Sequence, residues 1–198
     1  MSVRAQQTDS RATILATGQR IMSQKGFSGV GLSEILTEAG VPKGSFYHYF
    51  ASKDAFGEAM LATYFDAYHA DMDALFSKPG LTGAERLMVH FAAWRENQGA
   101  FDCQGRCLAV KLGAEVADLS EPMRLALKAG TYGIIARITQ VIEEGVSDGS
   151  LTIQEHLTDV AASLYYIWLG ASVMVKIEKS LSPFETAMAT TRVILRLA

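Results

Sequence analysis

Apolar positions recur along this chain at helical intervals and almost nowhere at the alternation a strand requires. The pattern is sharpest between Gly31 and Lys53. Leu32, Ile35, Leu36 and Ala39 fall on one face of a short helix. Gly40 stops it, since glycine tolerates the left-handed backbone common at a helix C-terminus. Pro42 suits the entry to a second helix, having no N–H to leave unpaired. That second helix, Lys43 to Phe50, sets Phe46, Tyr49 and Phe50 on one side and Lys43, Gly44, Tyr47 and His48 on the other. An aromatic inner face under a basic, hydroxyl-bearing outer face fits the recognition helix of a helix-turn-helix. An ordinary helical hairpin with polar residues outside fits the same periodicity.

The rest of the chain also reads as helices, about nine in all, so the fold class is all-α. A first helix runs from Thr8 or Ser10 to Lys25, with Ile14, Gly18, Ile21 and Met22 inward and Phe27 in the core beyond its end. Ser52 is placed to cap a fourth helix that carries Phe56, Met60, Tyr64 and Tyr68 to Phe76, with Asp54 in its first turn favourable to the helix dipole. Lys78-Pro79-Gly80 breaks the pattern. Further helices are expected over Thr82–Gln98, Cys107–Ala117 and Glu121–Val146, the last capped by Ser120. Thr152–Glu155 and Ser182–Glu185 have the form of capping boxes that open the two final helices. Those two are unusually apolar: Leu164, Ile167, Trp168, Ala171, Val175, Met188, Ile194 and Leu195 suit either a four-helix interface between two chains or the interior of the body.

Charge changes the picture modestly. The 198 residues carry 18 Lys/Arg and 21 Asp/Glu, a net charge of −3 that argues against nucleic acid if spread evenly. It is uneven: the first 60 residues are net +1 and the remainder net −4. A slightly basic head on an acidic body suits a DNA-binding unit joined to one that avoids DNA. We therefore expect a DNA-binding domain over 1–53 and a sensing and dimerisation domain over 54–198. The first residues lack the apolar run of a secretory signal. The longest uncharged run, Val160 to Val175, is shorter than the ~20 residues of a bilayer span and suggests a buried helix rather than a membrane partner. The two cysteines, Cys103 and Cys107, build no disulfide framework and fit a reducing cytoplasm. His69, His90 and His156 lack metal-ligand spacing, and no motif calls for a cofactor.

The residues Gly26-Phe27, Ala39-Gly40-Val41, Lys43-Gly44-Ser45-Phe46-Tyr47-His48-Tyr49-Phe50 and Ser52-Lys53, followed by an acidic helical body, resemble the tetracycline-repressor (TetR) family of bacterial transcriptional regulators. The resemblance implies a cytoplasmic homodimer on a near-palindromic stretch of double-stranded operator DNA, associated with the nucleoid when bound. Recognition helices would lie about one DNA turn (~34–36 Å) apart. It also implies repression relieved when something acts on the body. Gly44 is small enough to bring its helix against the phosphate backbone, Ser45, Tyr47 and His48 face that backbone or the base edges, and Lys43 and Lys53 neutralise phosphates. Ser33 opens the preceding helix, where another phosphate fits.

Cys107–Leu112, Ala114–Val116, Asp118–Glu121 and Trp168–Ala171 with Lys176 are further similar to an electrophile- and oxidant-responsive branch of the family. There the sensing cysteine corresponds to Cys107, and a lysine corresponding to Lys176 takes part. This chain carries fewer cysteines, so a single-thiol mechanism is the one that carries over. A thiolate is the nucleophile, and neighbouring cations favour it; Arg106 adjoins Cys107, and Lys111 lies one helical turn on. Against this stands the inert buried cysteine, the usual fate of a thiol in a core. Cys103 is a possible resolving partner. Three functions remain in competition: a repressor released by electrophiles or oxidants at Cys107, a repressor with a reversible small-molecule inducer in a cavity lined by Trp94, Tyr166 and Trp168, and an all-helical thiol enzyme. The Lys43–Lys53 segment, which an enzyme has no need of, argues against the third.

Overall fold

Among the described residues there are nine helices and no strand. The structure, a computed structural model, describes residues 3–103 and 107–197, with side chains over 10–97 and 107–197. The helices are α1 (Val3–Lys25), α2 (Leu32–Ala39), α3 (Lys43–Tyr49), α4 (Lys53–Phe76), α5 (Gly83–Cys103), α6 (Leu108–Leu119), α7 (Glu121–Ser147), α8 (Leu157–Glu178) and α9 (Ser182–Ile194). Helix α1 begins earlier than its apolar stripe indicates. Helix α5 continues through a stretch whose glycine and polar residues suggest a loop.

The chain divides into two compact units, residues 1–67 with 107–130, and residues 68–106 with 131–198. The expected cut after residue 53 therefore falls inside the first unit, at the start of α4. Helix α6 joins the head because its apolar face, Leu108, Leu112 and Val116, is buried and packs beside α1. Sequence order alone does not reveal a segment that returns to an earlier unit.

In the first unit α1, α2 and α3 pack mutually, and α1 lies close on α4. A Cβ at Gly18 would stand 2.3 Å from the Phe56 ring, so this glycine is a contact surface. In the second unit Trp168 of α8 is fully buried, stacked between Phe91 of α5 and Phe184 of α9 at centroid distances of 4.9 and 5.6 Å. Helix α8 is long and apolar enough by composition to cross a membrane, with a mean hydropathy of 1.5; here Leu164, Trp168 and Val175 are buried in the helical unit.

Caps show where local sequence governs and where tertiary contacts override it. Ser52 caps α4 as expected, its Oγ accepting the Ala55 amide at 3.0 Å. A reciprocal box forms at α5, where Glu85 accepts the Thr82 amide at 2.8 Å and Thr82 Oγ1 accepts the Glu85 amide at 3.3 Å. The two boxes expected at α8 and α9 do not form. Helix α8 starts only at Leu157, after His156, because Arg196 takes Glu155 at 2.7 Å and the Thr152 carbonyl at 3.1 Å. At α9 the cap position is Leu181, and Glu185 turns to Arg95 at 2.9 Å. A guanidinium offers a carboxylate a charge-assisted partner stronger than an amide.

Candidate DNA interface and thiol site

The helix-turn-helix is built largely by backbone chemistry. Gly40 adopts φ +65°, its amide reaches the Thr37 carbonyl at 3.2 Å, and the Val41 amide reaches Leu36 at 3.0 Å. This is the Schellman closure that only a glycine makes without strain. Pro42, at φ −60° and ψ 145°, then sets the entry to α3. Helix α3 has seven residues, too short to hold itself together in water, so its inner face must anchor it. Phe46 and Phe50 are buried and meet each other and Phe56 of α4 at 5.2 to 5.8 Å. Such aromatic pairs contribute about 0.5–1.5 kcal/mol each beyond burial.

The outer face follows from that anchoring. Lys43, Gly44 and His48 are exposed, Tyr47 is 56% exposed, and Ser45 and Tyr49 are half-buried. Tyr47 stands edge-on to Phe46 at 5.4 Å, a contact that orients its exposed ring. Nothing lies within 4 Å of a Cβ built on Gly44, so no packing inside the chain demands a glycine there. Ser33 is exposed in the first turn of α2. Among the described cations of the head, Arg20 pairs with Glu38, Lys25 with Glu34 at 2.5 Å, and Arg11 lies 5.5 Å from the Phe50 ring centroid. Lys43 pairs with no carboxylate among the described residues.

Lys53 is engaged within the chain. Its Nζ donates to the Phe27 carbonyl at 2.8 Å and lies 4.4 Å from the Phe27 ring centroid. Burial lowers its pKa, against the attraction of Glu115 and Asp54. The long stem at the start of α4 reaches across to the turn after α1, a partner 26 residues away in sequence. The same turn is held by a residue that sequence reading assigned no role, Glu115 of α6, whose carboxylate accepts the amides of Phe27 at 3.0 Å and Ser28 at 2.7 Å. Burial opposes its charge, but those hydrogen bonds and nearby Lys111 prevail, and its pKa falls below the ordinary 4.5.

Cys107 occupies the N-cap position of α6, with φ −69° and ψ 112°, and its carbonyl accepts the Lys111 amide at 3.1 Å. It is 8% exposed. Lys111 is half-buried one turn further on. The Cys103 side chain and Arg106 lie outside the described residues. Lys176, half-buried in the last turn of α8, belongs to the second unit, whereas Cys107 belongs to the first.

The three pocket candidates separate. Trp168 is closed core, its indole N–H given to Thr191 at 2.9 Å. Trp94 gives its own to Ser172 at 3.0 Å and borders a cavity of about 140 Å³ with Tyr68, Met72 and His90. Burial pushes the pKa of His90 down to about 4, so this ring is neutral at physiological pH. Tyr166 is 59% exposed and lines an open groove of about 720 Å³ with Tyr132, Ile135 and Thr139 of α7. No cluster of three or more metal-ligating side chains occurs among the described residues.

Two family descriptions match the chain: "Bacterial regulatory proteins, tetR family" over residues 14–60, and "Tetracyclin repressor-like, C-terminal domain" over residues 83–191. The chain is 42% identical to the HTH-type transcriptional repressor NemR of Escherichia coli over 187 residues, covering 94% of each. It is 33% identical to the transcriptional regulator AcuR of Cereibacter sphaeroides, over 90% of this chain and 81% of that one. The crystal structure of E. coli NemR in its reduced form superposes with a TM-score of 0.90, over 94% of this chain and 97% of that one.

Proposed function

Because the chain belongs to the tetR family of bacterial regulatory proteins, as a transcriptional repressor closely related to NemR, we propose that it binds its operator as a homodimer and leaves it when an electrophile or oxidant modifies Cys107. The observation that carries the DNA half is the outer face of α3. Lys43, Gly44, Tyr47 and His48 share one exposed face, over an aromatic floor that fixes their direction. Lys43 neutralises a phosphate, Gly44 permits close approach, and Tyr47 and His48 contact phosphates or base edges, with Ser45 and Ser33 at the margin. Lys53 serves this interface indirectly, by holding the Phe27 turn.

Exposed apolar residues support the dimer. Tyr166, Val173 and Ile177 recur along one side of α8, and Val193 stands out on α9. Covering that face with the same face of a second chain gives a two-fold interface.

Cys107 is the proposed input. It stands at the N-cap of α6, where the helix dipole attracts negative charge. Its low exposure selects small reagents over bulky ones. With a maleimide, the Sγ–carbon bond forms, the alkene π bond is lost, and the thiol proton ends on the adjacent carbon. That E. coli NemR has been crystallised in a reduced form supports an oxidant-responsive reading here. The resemblance to the electrophile-responsive branch supports a part for Lys176 in the same response. The open groove beside Tyr166 favours the rival reading, a reversible inducer.

The test is operator release. Wild-type protein should leave operator DNA when treated with N-ethylmaleimide and carry one adduct on the Cys107 peptide. Cys107→Ser should bind DNA and stay bound. Equal release of the variant would remove Cys107 and favour a reversible ligand.

A further inference from the structure

The turn after α1 joins more of the first unit than any local motif requires. Gly26 ends α1 at φ +82°, and a Cβ there would lie 2.8 Å from Glu115 Oε2. The next two amides, Phe27 and Ser28, are both taken by that carboxylate, across 88 and 87 residues of sequence. Phe27 is buried, and its carbonyl and ring are held by Lys53 at the start of α4. Two residues past Ser28, Val30 is buried, and Leu32 begins α2. The turn thus fixes where α2 starts, and through α2 the placement of α3.

Glu115 also belongs to a row on α6. Cys107, Lys111 and Glu115 follow at four-residue spacing, which puts them along one side of the helix. The N-cap thiol and the carboxylate are about two turns, or ~12 Å, apart along the axis. Burial opposes the charge of Glu115, the hydrogen bonds from Ser28 and Phe27 favour it, and Lys111, between Cys107 and Glu115, adds a smaller attraction. Leu108, Leu112 and Val116 are buried along the length of α6. A carboxylate with both oxygens committed to successive amides tolerates little displacement, because hydrogen bonds weaken steeply with distance and angle.

We infer that Glu115 is the positioning residue through which a change at Cys107 reaches the DNA-binding helices, an inference that rests on the sensor reading of Cys107. An adduct at the N-cap must enlarge the buried space there, and α6 shifts or turns. Glu115 then releases or drags the Phe27–Ser28 backbone, and α2 and α3 lose the placement that fits the operator. Coupling of this kind is measured as the ratio of operator affinities with and without the adduct.

The experiment compares full-length wild type with Glu115→Gln, each untreated and treated with N-ethylmaleimide, by operator titration and by mass of the Cys107 peptide. The amide cannot accept with both of its ends, so one backbone bond is lost with little change in volume. Wild type should carry the adduct and bind the operator about tenfold or more weakly. Glu115→Gln should carry the same adduct, but its ratio of affinities should fall to about threefold or less. A variant that is alkylated and released with the wild-type ratio overturns the inference while leaving the Cys107 reading intact. Wild type that is alkylated and stays on DNA overturns the Cys107 reading and the inference with it. A second readout needs no mutation: hydrogen exchange at the Phe27 and Ser28 amides should accelerate when wild type is alkylated, and unchanged exchange there overturns the role of Glu115.

Discussion

The outer face of α3 and the turn after α1 lie in the same compact unit and treat their polar groups in opposite ways. Around Phe27, donors and acceptors from α1, α4 and α6 are matched to one another, down to a lysine drawn off the surface. On α3, Lys43, Tyr47 and His48 face outward over a rigid aromatic floor. A set of polar groups satisfied within the chain holds shape. A set left outward on an anchored helix is available to a partner. The difference separates a turn built for shape from a face that we propose meets DNA.

The largest effect should come from the floor that supports the outer face. Phe46→Ala should cost about 3–5 kcal/mol, read as unfolding midpoint in denaturant, whereas Tyr47→Ala on the same helix should stay within about 0.5 kcal/mol. Two glycines then divide the regions. Gly26→Ala should destabilise by about 1–2 kcal/mol, from its left-handed backbone alone. Gly44→Ala should be neutral or stabilising by about 0.5–1 kcal/mol while weakening operator binding. Thermal melts and operator titrations on both variants check the pair.

Two lysines sharpen the contrast further. Lys43→Gln should reduce the salt dependence of operator binding by about one phosphate's worth, a slope change near 0.9. Lys53→Gln should leave that slope unchanged and lower the melting temperature instead. The smallest effect is a pH response at the turn. Glu115 titrates below its ordinary 4.5, so the stability it contributes is present above that pH and lost as pH falls through its depressed value. Urea midpoints of wild type should fall toward those of Glu115→Gln on acidification below about pH 4.5, the two being well separated at neutral pH.

Much of this was legible in the sequence where the physics is local. Helical spacing set Phe46 and Phe50 inward and Tyr47 and His48 outward, Gly40 marked a left-handed stop, and Ser52 marked a cap. Only tertiary contact decides the remainder. Glu155 and Glu185 have the spacing of capping residues but are taken by Arg196 and Arg95, distant in the chain. Lys53 reads as a surface cation next to a recognition helix, until Phe27 is brought beneath it. Glu115 carries no local motif, and its bonds to Phe27 and Ser28 depend on α6 packing with α1, which brings residues 107–130 into the same compact unit as residues 1–67. Trp94 and Trp168 share their helical spacing with pocket and core residues alike, and their bonded indoles place them in the core.

We propose the outer face of α3 as the output of the molecule. Its most direct test is operator affinity of a triple variant, Lys43→Ala with Tyr47→Ala and His48→Ala, on the DNA that wild type selects from random sequence, at one fixed salt concentration. This variant should melt with wild type and lose operator binding by about a hundredfold or more, down toward its non-specific level. A variant that melts with wild type and binds the operator equally well would contradict it.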